Sequence, residues 1–178
     1  MDAIALLQEL YGRIPGEVQR AVEGLTPEQL VARPAEGANS IGWLVWHLAR
    51  VQDHHVSELM GEVGAGADGV GAEQEWISGD WAHRFGREPD ADDTGYGHDA
   101  DDVAAVRPES VDALLGYFAA VHARTIGYLE SIGAGDLDRV VDERWDPPVT
   151  LAVRLVSVAD DDIQHAGQAA YVRGLLGA

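Results

Sequence analysis

The chain has 178 residues, no cysteine, and 12 basic against 31 acidic residues, for a formal net charge of −19. That is enough chain for one domain with a real core, and it excludes disulfides, Cys-ligated zinc and an internal thiol nucleophile. The charge argues against nucleic-acid backbones and anionic membrane surfaces, both of which call for a basic face.

The N-terminus, Met1-Asp2-Ala3-Ile4, lacks the basic start and apolar run of a signal peptide. No stretch reaches the apolar length of a membrane span, so a cytoplasmic location is expected. Four segments repeat their apolar residues at threes and fours, the helical period. The first runs from Asp2 to about Glu23 through Leu7, Leu10, Tyr11, Ile14, Val18 and Val22, with Asp2 as cap and Gly24 as stop. Pro15 lies inside it and should kink or interrupt it. A turn at Thr26-Pro27-Glu28-Gln29 follows, with Thr as N-cap and Pro at the first helical position.

The second long helix is expected from Asn39 or Ser40 to about Met60, with Ile41, Leu44, Leu48, Val51 and Leu59 as its stripe. The third begins near Pro108 and ends at Gly133. The fourth begins at Thr150, after Pro147-Pro148, and reaches about Leu176. No strand-like alternation of useful length is present. Four long helices joined by turns predict an all-α four-helix bundle in which residues 1–178 form a single domain. The link from Gly61 to Arg107 is too long for an idle loop. It starts flexibly at Gly64-Ala65-Gly66-Ala67-Asp68-Gly69, then carries Trp76, Trp81, Phe85 and Tyr96, with Ser78 to Gly86 as a short capped helix. It reads either as a lid over a site or as a crossover anchored by its aromatics.

The chemistry-bearing residues cluster on two helices. Asp160-Asp161-Asp162-Ile163-Gln164-His165 sets acids into an apolar helix, where each needs a partner. Asp161 and His165, four apart, share a face and suit one metal ion; Asp162 and His165, three apart, are also in range. An arginine from elsewhere, Arg50 or Arg124, is the alternative partner. His47 sits among apolar neighbours and, on its own, reads as a core histidine. His54 follows seven residues later on nearly the same face, about 10 Å along the axis, too far to share an ion with His47. His55 turns toward the apolar side, and His122 reads as core.

Two of these stretches have a precedent. Ser40-Ile41-Gly42-Trp43-Leu44-Val45-Trp46-His47-Leu48-Ala49 and His165-Ala166-Gly167-Gln168 resemble the two helix motifs of the DinB-like superfamily of metal-binding four-helix proteins, over most of the chain. The resemblance implies a DinB-like bundle with a long crossover between its second and third long helices. It also implies a metal site with His47 and His165 as ligands. The family usually has a further histidine at the position of Asp161, so this chain implies two histidines and one carboxylate: His47, Asp161 and His165. Glu75-Trp76, Trp81, Arg84-Phe85 and Asp93-Thr94-Gly95-Tyr96-Gly97-His98 look most like actinobacterial members that use mycothiol, and the lack of lysine and cysteine fits such a source.

The resemblance therefore implies a metal-dependent S-transferase that joins mycothiol to an electrophilic small molecule, with one divalent ion per chain. Imidazole with carboxylate accepts Zn, Ni, Mn or Fe, and Zn is favoured. Tyr96 and His98 are candidates for proton transfer or for supporting the ligands, and Gln168 for orienting one of them. The alternatives are an isomerase of the maleylpyruvate isomerase type using the same thiol, and a non-enzymatic metal-binding stress or scaffold protein. A two-His, one-carboxylate iron oxygenase is a further class, though such sites usually sit on β-scaffolds. The partners implied are a thiol and an electrophile, with no nucleic acid and no membrane. A homodimer through a helix face is a possible assembly.

Overall fold

The protein is described here by a computed structural model covering residues 2–64 and 72–178. The glycine-rich start of the crossover therefore lies, from residue 65 on, outside the described residues.

Four long helices make the bundle: α1 (Ala3–Val22), α3 (Ile41–Gly64), α6 (Val111–Ser131) and α7 (Leu151–Leu176). Short helices α2 (Pro27–Val31), α4 (Glu75–Ser78) and α5 (Ala100–Ala105) decorate the connections. Local chemistry sets the ends. The Asp2 carboxylate accepts from the Ala5 amide, and Thr26 and Gln29 form a reciprocal capping box at α2. Ser40 accepts from the Trp43 amide, and Thr150 caps α7. Gly24 stops the first element with φ at +75°. Helix α1 runs as one element through Pro15, so the expected interruption does not occur. Proline removes only the hydrogen bond to the Tyr11 carbonyl, and packing of Tyr11, Ile14 and Val18 in the core holds the helix together.

The long helices bury their apolar stripes on one another, with α7 seated between α1 and α3, and α6 closing the far side. A small antiparallel hairpin, β1 (Val140–Asp142) with β2 (Val149–Thr150), precedes α7. These strands are too short to show alternation, which is why periodicity missed them. The expected helix from Ser78 to Gly86 is instead two turns, α4 and a 3-10 turn at Ala82–Phe85, broken at Gly79. Any side chain at Gly79 would collide with the Trp81 ring, which lies 2.3 Å from where a Cβ would stand. Among the described residues no helix is long and apolar enough to cross a membrane.

The crossover folds back onto the bundle. Trp76 and Phe85 are fully buried against Tyr117. A charged pair at the heart of α3 fixes the crossover at two places. Asp53 accepts from the Glu75 and Trp76 amides at 3.0 and 2.8 Å and from the Tyr117 hydroxyl at 3.0 Å. Arg50 donates to the carbonyls of Asp93 and Ala91, both at 2.9 Å, and to the Gln74 side-chain oxygen at 2.8 Å. Both side chains are essentially inaccessible to solvent. Arg50 and Arg124, considered as partners for the acids of α7, instead face Asp53 and, for Arg124, Glu75.

Arg50→Met takes from buried Asp53 its closest cation and leaves only the longer Arg124 contact, so denaturant unfolding should show a loss of about 3–5 kcal/mol. Tyr117→Phe, which removes one hydroxyl from the same network, should cost about 1 kcal/mol. An Arg50→Met protein as stable as the wild type would show that the pair does not hold the crossover.

Candidate metal centre

Helices α3 and α7 carry the site. His47, Asp161 and His165 each offer one ligand atom, and these atoms lie within 4.8 Å of one another. His47 comes from the first half of α3, where Trp43 and Trp46 bury it. Asp161 and His165 come from successive turns of α7. The imidazole rings of His47 and His165 meet edge to face with centroids 4.6 Å apart.

The hydrogen bonds around the rings decide what the ring nitrogens can do. His47 Nδ1 lies 2.5 Å from the Thr94 carbonyl, and His165 Nδ1 lies 2.9 Å from the Asp161 carbonyl. A carbonyl only accepts, so each Nδ1 carries the proton and each lone pair falls on Nε2. Metal-ligating histidines show this same pattern, with the second nitrogen tied to an acceptor. Asp161 Oδ2 is buried without a hydrogen-bond partner, 3.4 Å from His165 Nδ1, whose proton goes to the carbonyl instead. A carboxylate oxygen and a ring nitrogen from each of two histidines, gathered within 4.8 Å, form a donor set that fits a divalent cation. Burial lowers the pKa of His47 and favours its neutral, ligating form. Burial pulls His165 the same way, but the Asp161 carboxylate and carbonyl outweigh it and the net shift is upward.

Asp162, the other candidate ligand, points elsewhere. It is fully buried in the bundle, and neither carboxyl oxygen has a hydrogen-bond partner. Burial, with the Asp161 charge beside it, pushes its carboxyl well above the usual range. The nearby Tyr11 hydroxyl is spent on the Leu155 carbonyl.

A second histidine group, His54, His55 and Glu58, is equally compact. Its hydrogen bonds are mixed. Gln74, with its oxygen held by Arg50, aims its amide nitrogen at His54 Nδ1 at 3.2 Å, and the Ala91 carbonyl stands 3.4 Å from the same nitrogen. Arg154 lies 3.5 Å from His55 Nε2, and His55 Nδ1 faces Glu58 at 3.2 Å. The Glu58 side chain is half exposed, whereas His47 is buried.

The crossover builds the surroundings. Trp43 stacks on His47 at 4.6 Å and 13°, and its indole donates to His98 Nδ1 at 3.1 Å. His98 Nε2 in turn donates to Asp93 at 2.8 Å, and Arg87 holds the same carboxylate. Both nitrogens of His98 are therefore engaged, which makes it a support for Trp43 and leaves no lone pair for proton transfer. Tyr96 stands edge-on to His47 at 5.3 Å, with its ring 68% exposed. It lines a pocket of about 170 Å³ together with Asp161 and Arg154. Burial and the Asp161 charge raise its hydroxyl above the usual pKa. Gln168 is exposed on α7. His122 stacks on Phe118 near α1, away from the triad.

One residue that composition did not single out is Gly95. Its φ is +95°, and a Cβ there would stand 2.7 Å from His47 Nδ1 and 3.0 Å from the Trp46 ring. Only glycine allows the loop to lie this close and bring the Thr94 carbonyl onto His47.

The sequence profile described as the DinB superfamily matches residues 11–169. A solved structure, a conserved protein from Enterococcus faecalis, superposes with a TM-score of 0.86 at 32% identity. The match covers 100% of this chain and 99% of that one. No curated protein matches the chain.

Two sets of variants test the geometry by calorimetric zinc titration. Gly95→Ala should keep the helical circular dichroism and lower zinc affinity about 10–100-fold, the usual cost of disturbing a group that orients a ligand. Asp161→Ala should cost at least as much. Asp162→Leu should leave zinc affinity unchanged and raise stability by about 1–3 kcal/mol, since it removes a buried carboxyl without partners. Loss of zinc in Asp162→Leu with retention in Asp161→Ala would transfer the third ligand to the neighbouring position.

Proposed function

This chain belongs to the DinB superfamily, and on that premise we propose that it is a metal-dependent thiol S-transferase conjugating mycothiol to an electrophilic small molecule. The observation that carries the reading is the gathering of one ligand-type atom each from His47, Asp161 and His165 beside an open pocket, in a chain without cysteine. In this reading those three residues hold one divalent ion, zinc by preference. The ion supplies a positive charge that favours thiolate over thiol, the activation an external thiol needs. What supports mycothiol as that thiol is the likeness of the crossover residues, Glu75-Trp76 through His98, to members that use it.

The chain's own residues do the rest. The Nδ1 contacts of His47 and His165 fix their tautomers, so neither imidazole needs to reorient. Trp43 covers one face of His47 and Tyr96 its edge, which keeps bulk water from that ligand. With its raised pKa, the Tyr96 hydroxyl stays protonated at neutral pH and offers a hydrogen bond to a departing group. The sulfur–carbon bond forms as the bond to the leaving group breaks, and the thiol proton passes to solvent. His98 contributes by holding Trp43 in place.

Protein purified without chelator should contain one divalent metal per chain by elemental analysis. The metal-loaded protein should consume mycothiol in the presence of monobromobimane faster than it consumes glutathione, and chelation should abolish that advantage. Full metal occupancy without metal-dependent thiol consumption would replace this reading with a metal-binding protein that performs no conjugation. Reconstitution with Zn, Ni, Mn and Fe that stays far below one equivalent each would remove the metal centre itself.

A further inference from the structure

The pocket beside the triad has a cation that the proposed chemistry does not use. Arg154 lies on α7, seven residues and about two helical turns before Asp161, or roughly 10 Å along the axis. Its side chain is only 16% exposed and lines the same pocket as Tyr96 and Asp161. Arg154 donates to Asp142 at 2.9 Å, but Asp142 is already held by the Arg144 guanidinium through two contacts, both at 2.9 Å. One carboxylate thus faces two guanidiniums, so Arg154 shares Asp142 rather than holding it alone. The nearest other partner of Arg154 is His55, at 3.5 Å, the limit of a hydrogen bond. Three of its five N–H groups have no partner among the described residues.

The charges facing Arg154 from every side include acids. Glu58 lies close enough to feel it, and Asp160 and Asp161 share the pocket. Asp160 is taken up by the Gln164 amide at 2.7 Å, and Glu58 by the two histidines of α3. Tyr96 bridges the two ends, because its hydroxyl senses both Asp161 and Arg154. At about 170 Å³ the space is a subsite for part of a molecule, smaller than a pocket that encloses a whole ligand. A guanidinium with unused donors, next to a phenol, in a chain whose surface is otherwise strongly acidic, is the local feature that attracts a planar anion.

We propose that Arg154, with the Tyr96 hydroxyl, forms a carboxylate subsite, so that one of the two reactants carries a carboxylate a few bonds from its reacting atom. This deepens the transferase reading and rests on it for the word reactant. The carboxylate belongs either to the thiol or to the electrophile, and matched probes separate the two. The thiol pair is 3-mercaptopropionate and 3-mercaptopropanol. The electrophile pair is 4-chloro-3,5-dinitrobenzoate and its primary amide. Each probe is titrated calorimetrically into zinc-loaded and metal-free full-length protein, one at a time so that no reaction occurs.

In the wild type, the acid of one pair should bind about tenfold tighter than its neutral partner. That preference should vanish in Arg154→Gln, survive in part in Arg154→Lys, and weaken in Arg144→Gln, which leaves Asp142 to Arg154 alone. Melting curves of all three variants identify any that fail to fold. Equal affinity for acid and neutral partners in both pairs, no binding of either acid, or a preference unchanged in Arg154→Gln would each overturn the proposal. A preference that appears in protein unable to take up metal would leave the subsite standing while removing the transferase reading. Metal uptake with no preference would do the reverse.

Discussion

The architecture of the site depends on one buried ion pair. Arg50 and Asp53 stand one turn apart on α3, just beyond His47, with both side chains out of water. Burying two charges costs several kcal/mol each unless every lone pair and proton finds a partner. Here nearly all of them do, and the partners come from the crossover. Asp53 takes the amides at 75 and 76, and Arg50 takes the carbonyls at 91 and 93, two separate points of the crossover. The desolvation cost is thereby converted into position. Fixing the Asp93 carbonyl fixes the next one, at Thr94, which is the acceptor that sets the tautomer of His47. A structural pair one helical turn away thus determines which nitrogen of a candidate ligand carries the lone pair.

The same logic separates two histidine clusters that look alike by distance. Both bring three ligand-type side chains within 4.8 Å. Around His47 and His165 the outer partners are acceptors, so the lone pairs are free for a cation. Around His54 the partners are mixed, a Gln74 amide and the Ala91 carbonyl at one nitrogen, and Glu58 beside them is half exposed. Burial and the acceptors at both Nδ1 atoms favour His47, Asp161 and His165 as the candidate metal centre among the described residues.

Much of this was legible in the sequence, for physical reasons that can be named. The long helices carry strong periodicity and conventional caps, so their ends fell close to Asp2, Ser40, Ser110 and Thr150. The four-residue spacing of Asp161 and His165 is a property of any helix, and a carboxylate in an apolar stretch advertises a need for a partner. His47 was different. Nothing in its own neighbourhood distinguishes a ligand from a core histidine, and only the resemblance of its motif singled it out. The crossover was readable only as anchored or as a lid, and it is in part each: Trp76 and Phe85 are core, while Tyr96 borders the pocket. What sequence could not show were contacts between segments far apart in the chain. Arg50 looked available for the acids of α7 because its true partners, backbone carbonyls at 91 and 93, have no signature in side-chain type. For His98 the sequence left proton transfer and a supporting role both open, because its engagement by Trp43 and Asp93 depends on how the loop folds. A signal for Gly95 did exist: a glycine between Thr94 and Tyr96, in a segment rich in bulky side chains, marks a close approach of backbone to something else.

Helices and loops divide the labour at the candidate site. Two adjacent helices hold the triad, and helix packing transmits fold across sequences at 32% identity. The groups that surround the triad come from elsewhere. The crossover supplies Thr94, Gly95 and Tyr96. The hairpin supplies Asp142, which together with Arg144 sets how much of the Arg154 charge remains for the pocket. Loops change faster than the elements they join. The bundle therefore gathers candidate ligands on α3 and α7, while two loop segments shape the pocket beside them. The crossover sets the Tyr96 phenol against that pocket and the hairpin holds Arg154 of α7 through Asp142, and this local polarity is what the bundle alone does not specify.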